Sequence, residues 1–281
     1  MFQFEPNLAQ ARQNNTLMHE ALGRSLDSLI HQVGADILTA NAAQFAAWRT
    51  HMSQTPALRP EVFGAYYELV AALKADRFND ARALWEEIVS APSSDPKARI
   101  YRLGHDYSDA ITRRFQKFMG NGKTNAAGIA PASVEDCDDT TVALDAAFGL
   151  IERHWPDLLT EFNEIIRDVV LVGSDSETAD AFEGGSSFKL WGGLFLNAEW
   201  ETTPAQLAAT LAHEEAHCVL FGACREETLV ENPDSELYWS AIRQANRPLE
   251  GIFHATFVSA RMIRLLTLFT TSPELSADEI I

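Results

Sequence analysis

The chain has little cysteine, few basic residues and no long uninterrupted apolar run. Three of its 281 residues are cysteine, a small and odd number that argues against a disulfide framework. No segment reaches the roughly eighteen consecutive apolar residues that a membrane-spanning helix needs. The stretch from Met1 to Pro6 lacks the basic and apolar regions of a secretory signal. We therefore expect a cytoplasmic protein with no membrane partner.

The shortage of basic residues also limits the ligands that this chain can bind. Acidic residues outnumber basic ones by 40 to 22, which gives a net charge of −18. A strongly anionic protein repels nucleic acid, so we expect no nucleic-acid partner. A site for an anionic ligand then requires a local cluster of arginine. The 46% apolar content is enough to bury a core as one large domain or two packed lobes.

Hydrophobic periodicity divides the chain into two parts. Apolar residues recur at helical spacing throughout the first part, which predicts a helical N-terminal lobe over 1–120. Residues 120–139 are rich in Gly, Asn, Pro and Asp and end in the acidic run 135–139, which predicts a loop. A second lobe is expected over 140–281. It contains the HExxH sequence at 213–217, which predicts that it is the metal-binding catalytic lobe, and its first two helices are expected at about 142–151 and 156–166.

The second part also contains two strand-like runs, 168–173 and 193–197. The polar segment 174–187 between them predicts a loop or hairpin over a site, and the last long helix is expected over 248–268. We therefore predict an α+β fold that is mostly α-helical, with a small antiparallel sheet beside a zincin-like metal-binding helix. In zincin-type peptidases the strand before that helix binds an extended peptide through its exposed edge, and 193–197 is the candidate strand.

The strongest motif is His213-Glu214-Glu215-Ala216-His217, an HExxH sequence. Residues four apart lie on one face of a helix, so two imidazoles can bind one metal ion there, with Glu214 close to whatever the metal holds. Thr203, Pro204 and Gln206 form a capping-box pattern that predicts where this helix begins. A third protein ligand is expected, and the downstream candidates are Glu226, Glu227, Glu231, Asp234, Glu236, Glu250 and His254.

A second motif follows, Arg247-Pro248-Leu249-Glu250-Gly251-Ile252-Phe253-His254, within the run 238–255 that also contains Arg243. Together with HExxH it resembles the 2-oxoglutarate-dependent HExxH-type peptide β-hydroxylases, which modify ribosomally made peptides. The resemblance covers about 192–261. It implies iron(II) held by His213, His217 and His254, with 2-oxoglutarate bound near Arg243 and Arg247. It also implies a precursor peptide as substrate, hydroxylated on a side-chain β-carbon.

The spacing of the basic residues is compatible with this reading. On one continuous helix, Arg247 and His254 would share a face about 10 Å apart, and a planar guanidinium suits the distal carboxylate of 2-oxoglutarate. Arg261, seven residues further on, is either a second anion anchor or part of a surface stripe. Non-haem iron oxygenases usually combine two histidines with a carboxylate, so Glu250 or Glu214 stays open as a ligand.

Two other functions fit the HExxH motif. In a zinc metallopeptidase, Glu214 would act as the general base on the attacking water, with Glu231 or Glu236 as a third ligand. In the hydroxylase, Glu214 would orient neighbouring groups or handle protons. The third reading is a binding protein that recognises a precursor peptide without catalysis. The complete set of candidate metal ligands argues against it.

Overall fold

The structure is a computed structural model. It describes residues 4–38, 41–54, 57–93, 97–120, 128–174, 183–225 and 228–272. These residues form a mostly helical α+β structure, which confirms the predicted class.

The described residues contain ten α-helices. Six lie in the first part of the chain: α1 (Leu8–Val33), α2 (Ala35–Leu38), α3 (Ala42–Gln54), α4 (Pro60–Lys74), α5 (Phe78–Val89) and α6 (Asp109–Met119). Four follow: α7 (Val134–His154), α8 (Pro156–Ile165), α9 (Pro204–Ala223) and α10 (Leu249–Thr270). Both helices expected between 140 and 166 are therefore present.

Seven strands within the same described ranges form a mixed sheet and a separate hairpin. They are β1 (Arg99–Arg102), β2 (Ile129–Ala130), β3 (Asp168–Ser174), β4 (Gly184–Ser186), β5 (Gly193–Asn197), β6 (Leu237–Ser240) and β7 (Ala245–Pro248). The larger sheet has the order β1-β3-β5-β4, with β2 also paired to β3. β1, β3 and β5 are parallel, whereas β4 and β2 pair antiparallel. β6 and β7 form the antiparallel hairpin.

Both strands predicted from β-branched and apolar runs are present as β3 and β5, but the setting of β5 differs from the prediction. β5 lies between β3 and β4, so its edge is not free to bind a peptide, and among the described strands β4 lies at that edge of the sheet instead. β3 is buried from Asp168 to Gly173, as expected for a strand in a parallel arrangement covered on both faces. Of the segment expected to form a loop over the site, residues 175–182 lie outside the described residues.

Two predictions about the chain before β3 were wrong. The first 120 residues are not helical throughout, because β1 lies among them. The acidic run 135–139 is not a loop but the start of α7. The Ser133 side chain accepts a hydrogen bond from the Asp136 N–H (3.0 Å), and carboxylates in a first helical turn interact favourably with the helix dipole.

Helix α9, which carries HExxH, begins at the predicted cap. Thr203 Oγ1 accepts from the Gln206 N–H (3.3 Å), and Gln206 Oε1 accepts from the Thr203 N–H (2.9 Å). α9 packs against α1, α7, α10 and β4. The strand β4 approaches so closely that a Cβ on Gly184 would lie 3.3 Å from Glu214 Cγ. Because neighbours surround α9, both glutamates of the motif are buried.

Residues from both predicted lobes contribute to one hydrophobic core. Leu26 of α1 and Leu220 of α9 belong to the same buried cluster, and β1 pairs with β3 across the predicted boundary. The division into 1–120 and 140–281 stays a prediction. Helix α10 is long and apolar enough, by length and composition, to cross a membrane. It packs against α9, and a core helix passes the same test.

Candidate functional site

The two histidines of HExxH lie one turn apart on α9 and face each other. His213 Nε2 and His217 Nε2 are 3.2 Å apart. Two nitrogen ligands on a tetrahedral metal with bonds of 2.0–2.1 Å would be separated by about 3.3 Å. The pair therefore has the spacing of two ligands of one ion.

His254 reaches this pair from α10. Its Nδ1 lies 3.3 Å from Nδ1 of His217, and the two rings are nearly parallel, with centroids 5.6 Å apart. The Nε2 of His254 is 3.9 Å from Glu250 Oε1. The three histidines of the sequence prediction are thus neighbours in space, in the order His213, His217, His254.

The nitrogens of this row do not face one common point. His217 presents Nε2 to His213 but Nδ1 to His254, and the two nitrogens of an imidazole point in different directions. Within the described parts of the chain, no group of three or more His, Cys, Asp or Glu side chains is arranged to hold a metal ion. Two of the three histidines fit one ion as they stand, and His254 would have to turn about its side-chain bonds to join them.

Met262 of α10 contacts the back of the His213 ring. Its Sδ is 3.1 Å from His213 Nδ1, so an Nδ1–H can donate to the thioether while Nε2 remains free for a metal. Sequence reasoning missed this contact. The available signal was its spacing, since Met262 lies eight residues after His254 and two turns along the same helix face.

The environment keeps these histidines neutral. Burial lowers the pKa of His213 and of His254, and it lowers the pKa of His217 to about 3. For His217, the charges that His213 and His254 would carry if protonated, and the charge of Arg243, add to the effect of burial on its pKa. Neutral imidazole is the form that binds metal, so these rings are ready to act as ligands at neutral pH.

Glu214 is buried beside the histidine pair. Its Oε2 accepts a hydrogen bond from Ser186 Oγ of β4 (3.0 Å), and its Oε1 is 3.8 Å from His213 Nε2. Burial raises the pKa of Glu214 to about 7, and the Ser186 hydroxyl opposes that rise. At neutral pH the carboxyl group can therefore either hold or accept a proton, which a general base in a peptidase requires and which a hydroxylase permits. Ser186 could not be found from the sequence, because only the fold brings it to α9.

Arg243 and Arg247 belong to the β6–β7 hairpin and not to the metal-site helix. The expectation that Arg247 shares a helix with His254 was wrong, since Arg247 lies in β7 and α10 begins at Leu249. Arg243 lies in the hairpin turn, and its charge lowers the pKa of both His213 and His217. Arg243 is thus the basic residue whose charge acts on the histidines.

Arg261 is neither an anion anchor nor part of a surface stripe. It is 1% exposed and donates to the carboxylates of Glu161 and Glu215 and to the Phe4 carbonyl. Burial and the neighbouring Glu161 raise the pKa of Glu215 well above its usual range, while Arg261 opposes them. This buried cluster ties α10 to α8 and α9 and holds the two ligand helices together.

The alternative ligands separate into three groups. Glu250 contacts His254, as described above. Glu236 is exposed and accepts from Tyr238 and Asn232, and Glu231 and Asp234 are exposed as well. Glu226 and Glu227 lie outside the described residues. Among the described carboxylates, only those of Glu214 and Glu250 lie within 4.0 Å of a site histidine.

No protein-family model matches this chain, and no curated protein matches it either. The resemblance to the peptide β-hydroxylases therefore stays a prediction carried by the two motifs, and the function has to be argued from the site itself.

Proposed function

We propose that this protein is an iron(II)- and 2-oxoglutarate-dependent hydroxylase that acts on a side-chain β-carbon of a ribosomally made precursor peptide. The observation that carries the proposal is the row of three neutral histidines with an arginine charge acting on it. Neutral imidazoles suit a divalent metal, and a guanidinium beside them suits an anionic cosubstrate. Arg243 is exposed, and in a chain of net charge −18 its charge gives the histidine site a local positive group.

His213 and His217 would hold the iron through Nε2, with His254 as the third ligand after its ring turns. Glu250, next to His254, is the carboxylate that could replace or join it. Iron(II) with 2-oxoglutarate and dioxygen supplies the oxidation of an unactivated carbon–hydrogen bond, while the cosubstrate becomes succinate and CO₂. Met262 would fix the tautomer of His213, because a proton held on Nδ1 leaves Nε2 unprotonated.

Arg243 is the better candidate for binding the distal carboxylate of 2-oxoglutarate, because its charge already acts on the metal-site histidines. Arg247, the position favoured by the resemblance, stays a second candidate on the neighbouring strand. Glu214 would not attack the substrate. Its buried carboxyl group would orient Ser186 and hold a proton close to the His213 side of the site.

A zinc metallopeptidase is the second candidate, and the position of Glu214 favours it. A carboxyl group with a pKa of about 7, within 4 Å of a histidine ligand, suits a general base that takes a proton from a metal-bound water. In that enzyme, Arg243 would have no cosubstrate to bind.

The test is a cosubstrate assay with matched arginine variants. The metal-free protein is loaded anaerobically with iron(II), and succinate is measured after 2-oxoglutarate, air and peptides encoded beside the gene are added. We expect iron-dependent succinate, and we expect Arg243→Lys to raise the half-saturating 2-oxoglutarate concentration by about tenfold through loss of the planar donor pair. Arg264→Lys, an exposed site on α10, is the control and should leave it unchanged. Peptide cleavage with zinc and no succinate with iron would establish the peptidase instead.

A further inference from the structure

The β6–β7 hairpin, residues 237–248, exposes an unusual amount of apolar surface. Leu237 is 54% exposed and Trp239 is 64% exposed, both on β6, and Ile242 in the turn is 56% exposed. Single exposed apolar residues are common, but a contiguous group of them usually marks an interaction site. The hairpin is therefore a candidate surface for a partner.

The strand register gives the hairpin two chemically different faces. Leu237 pairs with Pro248 and Trp239 with Asn246, so these four side chains share one face. Tyr238 pairs with Arg247, which places that guanidinium on the opposite face. One face is thus largely apolar, and the other offers a positive charge.

The charge on the hairpin is not neutralised within the described residues. Neither Arg243 nor Arg247 has a carboxylate within 4.0 Å there, although acidic residues outnumber basic ones in the chain by 40 to 22. Both side chains are exposed. Two unneutralised guanidinium groups in an anionic protein attract a negatively charged ligand and repel a cationic one.

The hairpin also has open edges. β6 and β7 pair only with each other in the described parts of the chain, so each leaves backbone N–H and C=O groups that an added strand can use. The side chains of an added strand alternate between the two faces of a sheet. A peptide with apolar side chains on one side and acidic side chains on the other would complement both faces.

We propose that the β6–β7 hairpin docks the peptide substrate, and that the peptide it fits is extended and alternates apolar with acidic side chains. This inference rests on the proposed function in taking the ligand to be a substrate peptide. The hairpin lies beside the site, because its turn carries Arg243 and β7 leads directly into α10, the helix of His254. A peptide bound along it would be close to the histidines.

The test measures binding without catalysis. The probe is a fluorescein-labelled ten-residue peptide in which Val and Leu alternate with Asp and Glu, titrated with metal-free protein and no 2-oxoglutarate, with fluorescence anisotropy as the readout. Trp239→Ser and Arg247→Gln should each weaken binding by about tenfold, the effect of losing one central contact. Trp200→Ser, an exposed tryptophan outside the hairpin, and Arg264→Gln are the matched controls and should bind as the wild type does.

Two altered probes test the chemistry of the partner. Replacing Asp and Glu by Lys, or Val and Leu by Ser, should abolish measurable binding. Wild-type affinity in both hairpin variants would overturn the inference, as would equal binding of the Lys probe. A dimer in sedimentation that Trp239→Ser dissociates would also overturn the inference, because the hairpin would then bind another copy of the chain. Binding of the hairpin to neutral lipid vesicles in place of the peptide would overturn it as well.

The outcome also separates this inference from the proposed function. Hairpin-dependent peptide binding without succinate production would leave the docking surface in place and refute the hydroxylase. If Trp239→Ser and Arg247→Gln left succinate production and peptide hydroxylation unchanged, the hydroxylase would stand and the docking surface would be refuted.

Discussion

The carboxyl group of Glu214 is buried against Ser186, and the two candidate enzymes use it differently. Glu214→Gln keeps the size of the side chain but removes its ability to take a proton. A zinc peptidase should then lose nearly all turnover with its metal still bound, because no base remains. A hydroxylase should retain measurable succinate formation and a peptide product heavier by one oxygen atom. Mass spectrometry of the peptide, with metal content measured in parallel, distinguishes the two, and loss of succinate with full iron content would contradict the proposed role.

Met262 on α10 contacts the ring of His213, the first histidine of the HExxH motif. Met262→Leu keeps an apolar side chain of similar volume but removes the sulfur that accepts from His213 Nδ1. Outer partners of metal ligands typically change affinity by 10- to 100-fold, and we expect about tenfold weaker iron(II) binding with little change in unfolding free energy. Met52→Leu, in the buried core of α3, is the control for the substitution itself. Equal metal affinity in the wild type and Met262→Leu would show that the sulfur contact has no role.

His19 provides a pH test that does not involve the candidate site. Its Nδ1–H donates to the Asn15 carbonyl (2.8 Å) and its Nε2 accepts from the Leu58 N–H (3.0 Å), so only the neutral ring fits. Burial lowers its pKa from 6.5 to about 4. A lowered histidine pKa contributes stability that is present above pH 6.5 and is lost as the pH falls towards 4.

The free energy of unfolding in urea should therefore fall by about 2 kcal/mol between pH 7 and pH 5 on account of His19. His19→Gln cannot titrate and should remove that part of the pH dependence, whereas the exposed His31→Gln on the same helix should retain it. The site histidines titrate equally in all three proteins, so the difference isolates His19. Parallel curves for the wild type and His19→Gln would refute the assignment.

At the scale of elements, α10 is held by a charged contact inside the core. Arg261→Met would leave Glu161 and Glu215 buried without their cation, and breaking such a contact typically costs about 3–5 kcal/mol. The matched control is Arg264→Met on the same helix, because its exposed contact with Glu5 should contribute about 1 kcal/mol or less. Urea unfolding monitored by circular dichroism measures both. Equal losses in the two variants would mean that Arg261 is not the tie between the ligand helices.

Elements with strong local signals could be predicted, and those without could not. The Thr203 cap, β3 and β5 were predictable because the capping residues, the β-branched run of β3 and the short apolar run of β5 lie within the elements themselves. β1 was missed because it is only four residues long, with arginine at both ends, and it is stabilised by pairing with the distant β3. The β6–β7 hairpin was missed because its turn uses Gln244 at φ 48°, where glycine or asparagine would have been the usual signal.

The same distinction applies to the candidate site. His213, Glu214 and His217 follow from spacing on one helix, and His254 followed from a motif. Ser186 reaches the site from β4, so no local pattern in the sequence pointed to it, whereas the helical spacing of Met262 from His254 on α10 was a usable but weak signal. Arg247 was wrongly predicted to lie on the helix of His254. The helical spacing of apolar residues in α10 does not indicate that the chain before Leu249 is a strand.

At the scale of the whole molecule, the two predicted lobes share a sheet and a core. Residues 140–281 alone would lack β1, which covers one edge of β3, and α1, which packs against α8 and α9. We expect this fragment to show no cooperative unfolding in urea and the full chain to unfold in one transition. Circular dichroism of both proteins is the measurement. A sharp transition in the fragment would establish 140–281 as an independent domain.

The parallel pairing of β1, β3 and β5 has a consequence for how the chain reaches this fold. Parallel neighbours cannot be joined by a tight turn, and Arg99 has to meet Asp168 across α6, α7 and α8. Closing such long loops is slow relative to helix formation. Until they close, β3 presents a long apolar edge of the kind that aggregates. α9 packs against β4 of this sheet and against α10, so we expect formation of the complete core, in which the two ligand helices are held, to be limited by the pairing of β1 with β3.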